Sequence, residues 1–265
     1  MNIVLLGHYD FASNLALSEL VQGLAGHQLT IFLSGTVTSD AKLAEELLDL
    51  GNYDRSLCDR LNSLSASTGP AGRRLLGFKE LEERTGSVIE DLARPNSAEG
   101  IARLAVLEPD LVVSVRYRRI LKEQVLRLPR LGVINLHSGL LPQYKGVMAT
   151  FWAMLEASPT IGSTLHFIDD GSIDTGRIIG RQSRDALVGA SYLAHVLSLY
   201  PAGCGAAISA IQSLHNGELI PAETQEPGGR YYSFPDAKSI EEFHTMGHRF
   251  YDGSEFEFAL NCHPC

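Results

Sequence analysis

The sequence predicts an α/β fold: an open, mostly parallel, twisted sheet with helices on both faces, followed by a short C-terminal appendage. Three observations predict it. Short apolar runs such as "NIVLLG" (2–7), "LVVSV" (111–115) and "GVINLH" (132–137) stop at Gly or at polar residues, as buried parallel strands do. Between such runs lie stretches whose apolar residues recur at helical spacing. The first run, the stretch after it and the next run make a βαβ unit, whose crossover is right-handed in a parallel sheet.

In order, "FASNLALSELVQGLAG" places Phe11, Leu15, Leu17, Leu20, Val21 and Leu24 at helical spacing, and "HQLTIFLSG" is the second strand. The turn "GHYDFA" is not G-x-G-x-x-G, so the dinucleotide fingerprint is absent. "AKLAEELLDLG" reads as an amphipathic helix, and a loop is expected over 52–75, with the Ser- and Gly-rich "NSLSASTGPAGRR" exposed in it. "SVIEDL" is expected as a strand. "NSAEGIARLAVLEPD" is a helix capped by Asn96 or Ser97 and ended by Pro109. "ILKEQVLRLP" and "ATFWAMLEA" are short helices, "IGSTLHFI" and "GRIIGRQS" are strands, and 190–214 is a long apolar helix. From Glu226 turn signals dominate, with one strand-like piece and a short helix from near Ser239. The expected division is a main domain over 1–223 and an appendage over 224–265.

A chain of 265 residues allows one large domain with such an appendage. Its net charge of −9 opposes a polyphosphate partner, and the basic clusters "RYRRILK" and "RLPR" are expected as solvated faces, so no nucleic acid is expected. No run of about 18 apolar residues occurs, so no membrane span is expected. The start "MNIVLLGHYD" reads as a first strand rather than a signal peptide. Cys58, Cys204, Cys262 and Cys265 give no disulfide framework, and reduced thiols in a cytoplasmic protein are expected. The tail "NCHPC" lacks a second ligand cluster, so no metal is expected.

In open α/β sheets ligands sit outside the carboxyl ends of the strands. Asn135 and His137 lie at such an end, two residues apart, and so project to one side of the strand. An amide N–H and an imidazole suit a reaction in which a carbonyl oxygen becomes an oxyanion while a proton moves. The plainer alternative has Asn135 capping a turn and His137 bonding a backbone carbonyl. A second motif, "TLHFIDDGSIDTGRII", runs a strand into an acidic loop and back. Asp169 and Asp170 suit Asx turns before Gly171; Asp174 is either a turn residue or a carboxylate that orients a histidine.

"INLHSGLLPQYKG" followed by "TLHFIDDGSIDTGRII" resembles the signature pair of the folate-dependent formyltransferase superfamily, with similarity over roughly residues 1–220. The matching positions are Asn135, His137, Leu140-Leu141-Pro142, Tyr144-Lys145-Gly146 and Asp174-Thr175-Gly176. The resemblance implies a Rossmann-like catalytic domain that moves a formyl group from 10-formyltetrahydrofolate, with no metal, to an amine. It implies that Asn135 and His137 bond the tetrahedral oxyanion and that Asp174 holds His137 and helps move the proton. It implies a pterin cleft between Arg116, Tyr117, Ile120 and Leu121 on one side and Ile168, Asp169, Asp170 and Gly171 on the other, and an acceptor site at Gly139, Tyr144, Lys145 and Gly146. His166 is a further candidate. Gly139 stands where the tRNA and purine branches carry Ser, and the roughly 40-residue tail is short for the tRNA enzyme's barrel, so a small-metabolite amine (an amino sugar, amino acid or natural-product precursor) is the expected acceptor. A homodimer through the tail is compatible with this. The alternatives are a 10-formyltetrahydrofolate hydrolase, whose relatives begin with an extra regulatory domain, and a silent binding module.

Overall fold

The computed structural model describes residues 1–35, 43–64, 67–68 and 74–261. The elements are β1 (Asn2–Gly7), α1 (Phe11–Gly23), β2 (Gln28–Leu33), α2 (Glu45–Ser63), β3 (Ser67–Thr68), β4 (Arg74–Leu75), α3 (Phe78–Thr85), β5 (Glu90–Asp91), α4 (Ala98–Ala105) and β6 (Leu111–Val115). They continue with α5 (Glu123–Leu126), β7 (Val133–His137), β8 (Tyr144–Gly146), α6 (Ala149–Leu155), β9 (Thr160–Phe167), β10 (Ile178–Asp185), α7 (Tyr192–His215), β11 (Arg230–Tyr232), α8 (Ala237–Thr245) and α9 (Glu255–Asn261).

Seven strands form one sheet in the order β10-β9-β7-β6-β1-β2-β5. β7, β6, β1, β2 and β5 run parallel, and β9 and β10 extend one edge antiparallel. The central strands β1 and β6 are almost wholly buried, because helices cover both faces, so their sequences are unbroken apolar runs. The main core joins one face of the sheet to α1, α7 and α9; Val4, Leu6, Val112 and Val133 face a second core with Leu104 of α4 and Val125 of α5.

Several boundaries differ from the sequence reading. The expected loop over 52–75 begins inside α2, whose Leu47, Leu57, Cys58 and Leu61 face the core; 65–66 and 69–73 lie outside the described residues. The strand expected in "SVIEDL" shrinks to two residues, because only Phe32 and Leu33 of β2 offer it an edge. Ser97 is the cap of α4, its side chain accepting from the N–H of Gly100. The tail helix begins at Ala237, capped by Asp236. α7 is long and apolar enough to cross a membrane by length and composition, and 61% of that window is buried, mainly against α1, β9 and β10.

The tail is tied to the rest at several points. Phe243 and Phe250 pack on Phe151 of α6, and Phe256 stacks on Phe11 of α1. β11 adds a parallel partner to β8, beside the predicted catalytic strand β7.

Candidate active site

The site grows from the register of β7 against β9. Asn135 lies opposite His166, and His137 opposite Thr164. The turn that follows is pinned by Thr164, whose hydroxyl donates to the carbonyl of Gly139 (2.7 Å) and accepts from the N–H of Leu141 (3.0 Å). Asp174 arrives from the β9–β10 loop in a left-handed conformation, φ 55°. Outside glycine that conformation costs about 1–2 kcal/mol and needs surrounding contacts to hold it.

Four side chains meet there. Asp174 Oδ2 lies 3.5 Å from His137 Nδ1, and its Oδ1 lies 3.5 Å from His166 Nε2. Asp174 Oδ2 also accepts from the N–H of Gly146 (2.8 Å). His166 Nδ1 donates to the carbonyl of Phe167 (2.7 Å), and its Nε2 lies 3.1 Å from Asn135 Nδ2. His137 Nε2 donates to the carbonyl of Tyr144 (2.7 Å). His137 is 8% exposed and Asp174 10%. Burial would raise the Asp174 carboxyl, but His137, His166 and the Gly146 N–H outweigh it and hold it at about 2. Asp174 is therefore a carboxylate at neutral pH, facing two imidazoles.

Of the plainer alternative, the His137 half is present and the Asn135 half is not, since Asn135 pairs with His166 instead of capping a turn. His137 does bond a backbone carbonyl, and it also faces Asp174. Asn135 pairs with His166 across β7 and β9. His166, only a further candidate from sequence, joins the cluster through strand pairing. The signal for it was its place two residues before the acidic loop on a strand that ends beside Asn135.

The other expected residues divide. A cleft of about 490 Å³, within the range of small-molecule sites, is lined by Ile168, Asp169, Asp170 and Gly171. Its far wall is α5 and the start of β7, with Leu126, Leu131 and Val133, rather than Arg116–Leu121. Arg116 instead turns inward to Asp10 (2.8 Å) and Asp54 (3.3 Å). Tyr117 is buried, its hydroxyl donating to the carbonyl of Leu92, and Leu121 is buried in the second core. Only Ile120 is exposed among these four. A folate could use the backbone of this segment but not those three side chains. The cleft also carries Glu123, Arg127 and Arg177 and opens at the start of β7. At the expected acceptor site Tyr144 donates to Glu156 (3.1 Å), Lys145 Nζ donates to the carbonyl of Gly228 (3.0 Å), and Gly146 serves Asp174.

Gly139 acquires a physical reason that sequence did not supply. A Cβ there would lie 2.4 Å from the Ala149 Cβ and 2.7 Å from His137 Nε2. Packing alone therefore demands glycine, and this residue carries less information about the acceptor than its departure from the signature implies. Among the described residues no three His, Cys, Asp or Glu side chains converge as a metal site; the terminal Cys-His-x-Cys lies outside them.

The formyl transferase family model matches residues 80–191, which hold Asn135, His137, His166 and Asp174. The methionyl-tRNA formyltransferase of Caldanaerobacter subterraneus subsp. tengcongensis is 31% identical over 156 residues, 58% of this chain and 50% of that protein. The bifunctional polymyxin resistance protein ArnA of Wigglesworthia glossinidia brevipalpis is 40% identical over 88 residues, 33% of this chain and 13% of that protein. The chain thus spans about half the length of the tRNA enzyme it matches and a small part of the second relative. Among solved structures, a 4-N formyltransferase from Francisella tularensis superposes with a TM-score of 0.59 at 15% identity, over 98% of this chain and 86% of that one. Glycinamide ribonucleotide transformylase 1 from Symbiobacterium toebii gives 0.58 at 17%, over 84% and 93%. The segment that gathers these side chains at one strand end is thus similar to the formyl transferase family over residues 80–191, and the chain shares its fold with the two solved formyltransferases.

Proposed function

We propose that the protein transfers the formyl group of 10-formyltetrahydrofolate to the amine of a small metabolite. The observation that carries this reading is the Asn135–His166–Asp174–His137 cluster at the carboxyl end of β7. The amine nitrogen attacks the formyl carbon, and the carbonyl oxygen becomes an oxyanion. The side-chain amide of Asn135 bonds that oxygen. His137 Nε2 turns from the Tyr144 carbonyl to bond it too. One such preorganised donor is worth roughly 3–4 kcal/mol. As the bond from carbon to the folate nitrogen breaks, the proton leaving the amine passes to that nitrogen by way of His137 or water. Asp174, 3.5 Å from Nδ1, stabilises His137 while it carries the proton.

The acceptor class rests on charge. A net charge of −9 repels a tRNA, and neighbours of this fold include sugar N-formyltransferases as well as the tRNA and purine enzymes. A panel of amines with 10-formyltetrahydrofolate, read by tetrahydrofolate release, tests the reading. Release that depends on a small amine supports it. Release without any amine marks a hydrolase, and release only with charged tRNA moves the acceptor to nucleic acid. No release under any condition marks a silent binding module.

A further inference from the structure

We propose that Gln225, in the tail, is a positioning residue for Asp174. Its Nε2 donates to the carbonyl of Asp174 (2.9 Å) and to that of Gly176 (2.8 Å). The amide thus clasps the main chain on both sides of Thr175. Its Oε1 is buried and makes no hydrogen bond among the described residues. Leaving a carbonyl oxygen buried and unpaired costs free energy, so the donor side of this amide accounts for its place. The clasped segment is one that needs holding. Asp174 is left-handed (φ 55°), and Gly176 is pressed so closely on Phe167 that a Cβ would lie 1.9 Å from its carbonyl oxygen.

The same tail braces the other half of the site. Just before Gln225, Glu223 and Ile178 exchange backbone hydrogen bonds of 2.8 and 2.9 Å at the start of β10. After it, Arg230 N–H donates to Gln143 and Val147 N–H donates to the carbonyl of Tyr232, docking β11 on β8. β8 in turn supplies the Tyr144 carbonyl to His137 and the Gly146 N–H to Asp174. One continuous segment therefore fixes both members of the His137–Asp174 pair, through β8 and through the Gln225 side chain. Gln225 touches neither imidazole, so its effect passes through the peptide groups around Asp174.

Two variants test this. Gln225→Met keeps the length and removes both donors; Gln225→Glu keeps the shape and sets a carboxylate against two carbonyls. The first measurement is the ring 15N spectrum of the histidines, which does not depend on what the enzyme does. The signals of His137 and His166 should move while those of the other seven of the nine histidines stay in place. The second measurement, kinetics, rests on the formyl-transfer reading above. Gln225→Met should lower kcat by about 10-fold or more, with KM for both substrates within about threefold. Unmoved His137 and His166 signals in variants that keep a cooperative melt would overturn the proposal whatever the activity. So would a raised KM with kcat unchanged. Moved signals in a protein that formylates no amine would uphold the positioning role and sink the formyl-transfer reading alone.

Discussion

Asp174→Asn separates the charge of this residue from its shape. The Asn oxygen still reaches the Gly146 N–H, so the loop keeps that hydrogen bond. What disappears is the negative charge facing His137 and His166 at 3.5 Å each. The carboxyl titrates at about 2 in the folded protein against an ordinary 3.8. That depression corresponds to about 2 kcal/mol of stability. Because the folded pKa is the lower one, this stability is fully present above about pH 4 and fades as the pH falls towards 2. At neutral pH the variant lacks all of it, and its Tm should fall by about 4–8 °C for a chain of this size. Turnover per folded molecule should fall by about 10²–10⁴, the usual worth of a positioned proton-transfer group. The assay pairs a thermal melt at several pH values with tetrahydrofolate release at fixed folded fraction. A lower Tm with turnover per folded molecule retained would show that the charge serves only the fold. A stability gap that stays constant down to pH 2 would refute the electrostatic origin.

Three further outcomes follow from the same contacts. His137→Ala should leave the fold within about 1–2 kcal/mol of wild type, since its one close hydrogen bond is to Tyr144, and should cut turnover at least about 100-fold; a chemical melt and the release assay check both. Gly139→Ser should be destabilised by about 1–3 kcal/mol, because the new Cβ overlaps Ala149, and should also lose activity by displacing the His137 ring; a wild-type Tm would contradict the packing. Arg116→Met should destabilise by about 3–5 kcal/mol by removing the cation that buried Asp10 and Asp54 share, Asp10 keeping only Arg118 at 3.0 Å, and the loss measured by urea unfolding should shrink as the pH falls and the Asp10 carboxyl protonates.

The apolar runs made the parallel strands legible, because a strand buried on both faces has no polar alternation to confuse with a loop. The Asn-x-His pair and the later Asp were legible as side chains at a strand end. What could not be read was anything set by long-range pairing. His166 enters the cluster only because β9 runs antiparallel to β7 in one register. β8 and β11 are three residues each, too short for any periodicity, yet they brace both His137 and Asp174. The helix expected in "AKLAEELLDLG" runs on into the stretch expected as loop, where Asp54 is buried and accepts from the N–H groups of Phe11 and Ala12 in another element. The role of Gly139 was misjudged for a similar reason, since the Ala149 methyl that excludes a side chain lies ten residues on and in another element.

The inward turn of Arg116 also bears on where ligands can bind. The start of the first helix after a parallel strand is an anion site when its N–H groups are free. Here Asp54 takes those of Phe11 and Ala12, and Asp10 takes that of Ser13. Burial would raise the Asp10 carboxyl, but Arg116 and Arg118 outweigh it and keep it ionised, well below the usual carboxylate range. Burial and the neighbouring Asp10 push the Asp54 carboxyl up to about 7, so the Asp10 carboxylate and the Asp54 side-chain oxygens already occupy the helix start, and a ligand phosphate would have to displace them from a buried, Arg-paired setting. The absent dinucleotide fingerprint and this self-filled helix start have the same consequence. On the formyl-transfer reading proposed above, recognition of a ligand falls to the flank of the sheet where β7, β9, the Asp174 loop and the tail meet.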